Sequence, residues 1–191
     1  MKILHLASFV ALGVLTPCLA LAQCPAAGSA LGCTTLITAN ADGTLTIAGV
    51  PANGTTYDGS DDQLVGLINN TSAPLSSITL SAPTLAIFGF EADGVDGYGA
   101  PGNAMDTTGY GGPDAYFTGI SADTTSGVVN FVTPIAAGGQ TYFSLEEAFT
   151  TGAITGTTGG GTGVTPEPST FVLLGTGAAG LFTTLRRRLL S

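Results

Sequence analysis

Thr34-Thr35-Leu36-Ile37-Thr38-Ala39-Asn40-Ala41-Asp42-Gly43-Thr44-Leu45-Thr46-Ile47 sets the reading of the whole middle of the chain. Two short runs of β-branched and apolar residues flank Asp42-Gly43, and an Asp-Gly step tolerates the positive φ that a tight reversal needs. The stretch predicts a β-hairpin. Asn53-Gly54 repeats the turn signal before Thr55-Thr56-Tyr57.

Working outward, further strands are expected over Gln63 to Asn69, Leu75 to Ser81 and Thr84 to Phe90. In the second of these, Ile78 and Leu80 alternate with Ser77 and Thr79, the pattern of a strand with one face in water. In the third, Leu85 and Ile87 oppose Phe88 and Phe90, which predicts a strand buried on both faces. From Glu91 to Pro113 the pattern breaks into a glycine-rich stretch too long for a passive connector. Strands resume at Ala115 to Ile120, Gly127 to Thr133 and Gln140 to Leu145, with a short helical turn expected from Glu146 to Phe149. Gly156 to Thr165 is rich in Gly and Thr and offers no core residue, so the folded unit is expected over residues 23–153, with a linker over 154–164. The fold class read from this order is all-β: a single β-sandwich, jelly-roll or immunoglobulin-like, of about 130 residues and one core.

Charge narrows the function classes. The chain has four Lys plus Arg, namely Lys2, Arg186, Arg187 and Arg188, and its single His is His5. Of thirteen acids all but Glu167 lie between Gln23 and Thr165, so that segment has twelve acids and no base. Such a surface repels phosphates, which excludes nucleic acid as a partner. The same segment lacks Trp. Without histidine, Ser/His/Asp and Cys/His catalysis are excluded there. A glycosidase needs two carboxylates roughly 5 to 9.5 Å apart, but on a strand Glu146 and Glu147 point to opposite faces, as do Asp61 and Asp62. No catalytic residue is assigned, and the chain is not expected to be an enzyme.

Two other chemistries remain. Cys24 and Cys33 are close enough to close a short loop, and a disulfide between them is expected in an oxidising compartment. Asp93 and Asp96, in the glycine-rich stretch, are candidate calcium ligands, because calcium takes hard oxygen donors on bends. Asp93-Gly94-Val95-Asp96 lacks the ligand alternation of an EF-hand, and acids in a solvated turn are the alternative; no other cofactor is expected.

Both ends carry membrane signals. Lys2 precedes an apolar run from Leu6 to Leu15, and Ala20-Leu21-Ala22 supplies small residues at the two positions a signal peptidase reads. Residues 1–22 therefore read as a signal peptide for Sec export, cleaved after Ala22. Leu21-Ala22-Gln23-Cys24 approximates a lipobox, but Gln23 is large for the position before the cysteine. At the other end, Thr170 to Leu185 is uncharged and apolar, long enough as a helix to cover roughly 25 Å of a hydrocarbon core of about 30 Å. Arg186, Arg187 and Arg188 would each cost about 2.5 to 3.5 kcal/mol at the bilayer centre, so they stop the helix at the cytoplasmic face. Gly175, Gly177 and Gly180 leave a small-residue strip suited to another membrane helix.

Pro166-Glu167-Pro168-Ser169-Thr170, the glycine-rich apolar helix and the arginine cluster together resemble the PEP-CTERM sorting signal of Gram-negative bacteria, a segment also described as an ice-binding protein C-terminal domain. The resemblance covers residues 165–191 and departs only in the trailing Leu189-Leu190-Ser191. It implies that an exosortase in the inner membrane recognises the segment and processes the chain at or near Pro166, Glu167 and Pro168. The two prolines hold Glu167 extended and poor in hydrogen bonds, a form a protease cleft can grip. Tyr57-Asp58-Gly59-Ser60-Asp61-Asp62, Ile87-Phe88-Gly89-Phe90, Gly109-Tyr110-Gly111-Gly112-Pro113 and Tyr142-Phe143-Ser144-Leu145-Glu146-Glu147 are similar to segments in the ectodomains of such proteins. The resemblance implies an exported surface or extracellular-matrix protein, structural or adhesive among exopolysaccharide. The alternative is a binding module, for ice or for carbohydrate with calcium. Thr44, Thr46, Thr55 and Thr56 motivate the ice reading, although no fixed threonine period is present.

Overall fold

The computed structural model describes residues 24–150 and 152–159. The fold is all-β. Among the described residues, eight strands form two four-stranded sheets: β1 (Thr35–Ala39), β2 (Leu45–Gly49), β3 (Gln63–Asn69), β4 (Leu75–Ser81), β5 (Ala115–Thr118), β6 (Ser126–Ile135), β7 (Gln140–Leu145) and β8 (Thr155–Thr158). One sheet runs β2-β1-β3-β7 and the other β5-β6-β4-β8. Neighbours pair antiparallel except β1 and β3, which are parallel from Thr35↔Val65 to Ala39↔Asn69. Among the described residues no helix is long and apolar enough to cross a membrane, and the only helical pieces are 3₁₀ turns at Pro51–Asn53 and Val95–Tyr98.

The opening hairpin forms around the turn at Asn40 to Thr44. Gly43 sits at φ 84°, and the Asp42 carboxylate accepts from the Thr44 backbone N–H at 3.0 Å and its hydroxyl at 2.6 Å. The two sheets share one apolar core. Ile37, Val65, Leu67, Phe143 and Leu145 come from the first sheet; Ile78, Leu80, Val129 and Phe131 come from the second. Alternation explains the later part of β4, where Ile78 and Leu80 are buried while Thr79 faces water, and a register shift between Leu75 and Ser77 lets Leu75 be buried as well.

Strand β3 differs, because six of its seven residues are buried. Val65 and Leu67 enter the main core, whereas Leu64 points the other way into a second cluster with Tyr57, Val95 and Tyr142. The outer face of β3 and β7 is covered by the segment from Cys24 to Cys33 and by the glycine-rich loop. Cys24 and Cys33 form a disulfide with Cα atoms 5.0 Å apart. The Ser29 N–H donates to the Tyr57 carbonyl at 2.7 Å, tying that segment to the loop before β3.

Three local readings are corrected. Thr84 to Phe90 is not a central strand but a run of turns. Pro83 has no N–H to continue the ladder that ends where the Ala82 N–H meets the Thr125 carbonyl; the chain then folds over the end of the core and buries Ile87 and Phe88. Thr55 to Tyr57 likewise forms no strand, since Pro51–Asn53 winds into a 3₁₀ turn, and Glu146 to Phe149 forms bends rather than a helical turn. The folded unit also runs past residue 153. Ile154 is buried, and β8 occupies the first part of the expected 154–164 linker, paired with β4 from Ser81↔Thr155 to Ile78↔Thr158. A Thr-Gly-Thr-Thr strand without apolar side chains is stable there because backbone hydrogen bonds to β4 hold it at the sheet edge.

Candidate functional site

The polar centre of the molecule lies beneath the glycine-rich loop, on the outer face of β3 and β7. Asp62 immediately precedes β3, and its carboxylate is aimed inward by the loop before it. The Tyr57 N–H donates to the Asp62 carbonyl at 3.1 Å, and the Asp58 carboxylate accepts from the Asp62 N–H at 3.1 Å. Glu146 follows β7, at the point where Glu147 takes φ 69° and the strand ends. Tyr110 arrives from the glycine-rich loop.

That loop is held by its own side chains. Asp106 accepts from the N–H groups of Thr108, Gly109 and Gly111, and Asn103 donates to the carbonyls of Gly112 and Ala115. Glycine is required where the loop crosses itself. A Cβ at Gly94 would collide with the Gly109 carbonyl, and one at Gly111 with that of Ala115.

Tyr110 is fully buried, and its hydroxyl lies 2.6 Å from Glu146 Oε2, 2.7 Å from Asp93 Oδ1 and 3.2 Å from Asp62 Oδ2. Tyr57, also fully buried, donates to Asp62 Oδ2 at 2.7 Å, with Ser144 Oγ at 3.3 Å. Ser144 Oγ in turn accepts from the Val95 N–H at 3.2 Å. One phenolic proton on Tyr110 therefore faces three carboxylates. No Lys, Arg or His exists between Gln23 and Thr165 to neutralise them.

The electrostatics follow from that geometry. Burial pushes the Asp62 carboxyl up to about 7; the nearby Glu146 charge adds to this, and hydrogen bonds from Tyr57 and Tyr110 oppose it. Glu146 is raised as well, chiefly by burial. Both tyrosines are raised, by burial first, so they stay protonated donors. Near neutrality Asp62 is on the edge of holding a proton, which lets the cluster share one. It can also take a cation: Asp61, Asp62 and Glu146 each place one oxygen within 4.8 Å of the others.

The calcium candidates sit apart. Asp93 is exposed and meets the Tyr110 hydroxyl, whereas Asp96 lies beside Asp106 and Gly112, its carboxyl pushed up to about 6 by burial and then by the Asp106 charge. Asp96 Oδ1 is buried without a hydrogen-bond partner. The grouped oxygens belong instead to Asp61, Asp62 and Glu146, which come from segments far apart in sequence. Of the four threonines considered for ice, Thr44 is exposed just before β2, Thr46 is exposed within it, Thr55 is exposed outside any strand and Thr56 is buried. Thr44 and Thr46 share one face, where Asn40 Nδ2 donates to both hydroxyls, but Thr55 and Thr56 do not extend it.

Ala20, Ala22, Pro166, Glu167, Pro168, Arg186, Arg187, Arg188 and the expected membrane helix over 170–185 lie outside the described residues. Residues 164–188 match the family described as the PEP-CTERM protein-sorting motif. No curated protein and no solved structure matches the chain. The two-sheet unit thus stands on its own geometry, and the chain carries at its C-terminal end a PEP-CTERM protein-sorting motif that makes it an exosortase substrate, processed at the membrane and sorted to the cell surface.

Proposed function

We propose that the chain is a non-enzymatic structural or adhesive protein of an exopolysaccharide-rich cell surface, with the two-sheet unit as the cargo that sorting delivers. One observation carries this reading. Strand β8 stays hydrogen-bonded to the end of the unit through Gly159, and the sorting motif begins at residue 164. Fold and signal are nearly contiguous, so whatever handles the signal handles the folded unit with it. In this reading residues 1–22 direct export and are removed after Ala22. Residues 170–185 then hold the chain in the inner membrane until exosortase acts at Pro166-Glu167-Pro168.

Intact-mass measurement on envelope and secreted fractions, in cells with and without the sorting enzyme, tests the route. A product ending near Pro166 that requires the enzyme is expected; a tail retained in both strains would sink the route. Co-sedimentation of the mature protein with exopolysaccharide from the same cells tests the role, and a protein that stays wholly in the supernatant would refute it.

A second reading, calcium-dependent carbohydrate binding, is favoured by the grouping of Asp61, Asp62 and Glu146. Millimolar calcium should then raise the melting temperature and promote saccharide retention. An unchanged melting temperature would end that reading.

A further inference from the structure

The chain leaves the described unit at one end, and it is held there through Gly159, the last described residue. The Thr158 N–H donates to the Gly43 carbonyl at 3.2 Å, and the Gly159 N–H donates to the Ser77 carbonyl at 2.8 Å. The turn before β2 (40–44), the turn before β4 (70–74) and the turn before β7 (136–139) all gather at this end, as the strand register requires. A cavity of about 290 Å³ opens between the first two turns, with Asn40, Asp42, Thr71, Ser72, Thr158 and Gly159 in its wall.

Contour length sets the first constraint. From Gly159 to Pro166 the chain advances by seven residues, at most roughly 3.3 to 3.6 Å each, so Pro166 lies within about 25 Å of this end whatever path it takes. A membrane-embedded enzyme holding Pro166-Glu167-Pro168 must then work within that radius. Charge sets the second constraint, independently. Among the three turns only Asp42 is ionisable. Asp58, Asp61 and Asp62 before β3, Asp123 before β6, and Glu146 and Glu147 after β7 lie at the opposite end, whereas Asp114, which accepts from the Thr133 N–H late in β6, lies on the near half. A surface bearing anionic headgroups repels the end with those six carboxylates more strongly than the end with Asp42 and Asp114.

We infer that the face built by turns 40–44, 70–74 and 136–139, with the cavity between the first two, abuts the sorting enzyme during processing, while the carboxylate-rich end points away from the membrane. The inference rests on the sorting reading and adds the orientation of the cargo and the surface it presents. The face suits such a partner: it offers amide, hydroxyl and backbone groups and one carboxylate, with no large apolar side chain exposed in the turns. Contacts of this kind favour transient docking rather than a permanent complex.

Photo-crosslinking in cells that express the full chain with its sorting enzyme tests the geometry. A photoreactive phenylalanine replaces Ser72, or Ala73 as a second position, and Ala122 serves at the far end; all three are exposed. The enzyme should be captured from positions 72 and 73 and not from position 122. Inserting twenty Gly/Ser residues after Gly159 should cut capture from position 72 by about fivefold or more while processing continues, because local concentration falls as the tether lengthens. Equal or stronger capture from position 122, or no capture from 72 and 73 in a chain that is still processed, would overturn the orientation alone. Failure of the chain to be processed at all, read by intact mass, would overturn the sorting reading and the orientation with it.

Discussion

Strands β3 and β7 each serve two interiors of opposite character. On one face Val65, Leu67, Phe143 and Leu145 pack into the apolar core between the sheets. On the other, Leu64, Tyr142 and Ser144 meet Tyr57, Tyr110, Asp62 and Glu146 under the glycine-rich loop. The first interior is held by removal of apolar surface from water and is indifferent to pH. The second is held by phenol-to-carboxylate hydrogen bonds in a place where no cation side chain exists, so its strength depends on how many protons it holds. One pair of strands thus couples a constant interior to a titrating one.

The largest expected effect lies in the constant interior. Phe143 is fully buried, and Phe143→Ala should cost about 3 to 5 kcal/mol in urea unfolding, with the same loss at pH 5 and pH 7.5. Tyr110→Phe should cost about 3 kcal/mol at pH 7.5, because three carboxylates lose their shared donor. That loss should shrink at pH 5; an equal loss at both pH values would show that the hydroxyl's contribution does not depend on carboxylate ionisation, and no loss at either would show that the residue acts only through its ring, which packs 4.5 Å from Phe90. Removing the Cys24–Cys33 disulfide by a double Ser substitution should cost roughly 2 to 3 kcal/mol at either pH, since the cross-link acts on the unfolded chain.

The smallest effect is the most diagnostic. Asp62 holds its proton up to about 7 in the folded protein, against 3.8 ordinarily, so the folded state binds more protons than the unfolded one between those values. Stability must therefore fall as pH rises from about 4 to 7 and recover on mild acidification. Glu146 shifts in the same direction and adds to the trend. Asp42 and Asp123 run the other way: hydroxyl hydrogen bonds hold them below the ordinary value, and what they contribute is lost as pH drops beneath it. Calorimetry should find the highest melting temperature in mildly acid solution. Asp62→Asn should raise stability at pH 7.5 by about 1 kcal/mol and flatten the upper limb; a melting temperature that climbs steadily from pH 5 to 8 would contradict the proton count.

The apolar interior was readable in the sequence and the polar one was not. Gln63 to Asn69, Leu75 to Ser81 and Gln140 to Leu145 are strands over the expected spans, the second from its apolar alternation and the other two as short apolar runs, with turn residues around them. Thr84 to Phe90 has the same composition but follows Pro83, and an apolar run can cap a core as easily as cross it. Strand β8 left no hydrophobic trace, since its stability comes from the β4 backbone. Asp62, Tyr110 and Glu146 come from three segments that topology alone brings together. Pairing each acid with its sequence neighbour, Asp61 with Asp62 and Glu146 with Glu147, hid the pair that forms, Asp62 with Glu146. The usable signal was compositional: twelve acids and no base in the segment, so a buried carboxylate had only hydroxyls and backbone or amide N–H groups to lean on.

The last strand also decides how the unit answers a pull. Strand β8 lies antiparallel against β4, and the chain departs along the strand axis at the end opposite the disulfide-bound N-terminal segment. Drag on the displayed unit while its tail is still held therefore loads the β4–β8 ladder in shear. All its rungs lie across the force and must fail together, whereas a peeled strand would lose them one at a time. Thr158, bonded to Gly43 as well, spreads that load into the other sheet. The tether leaves from a mechanically resistant corner of the fold.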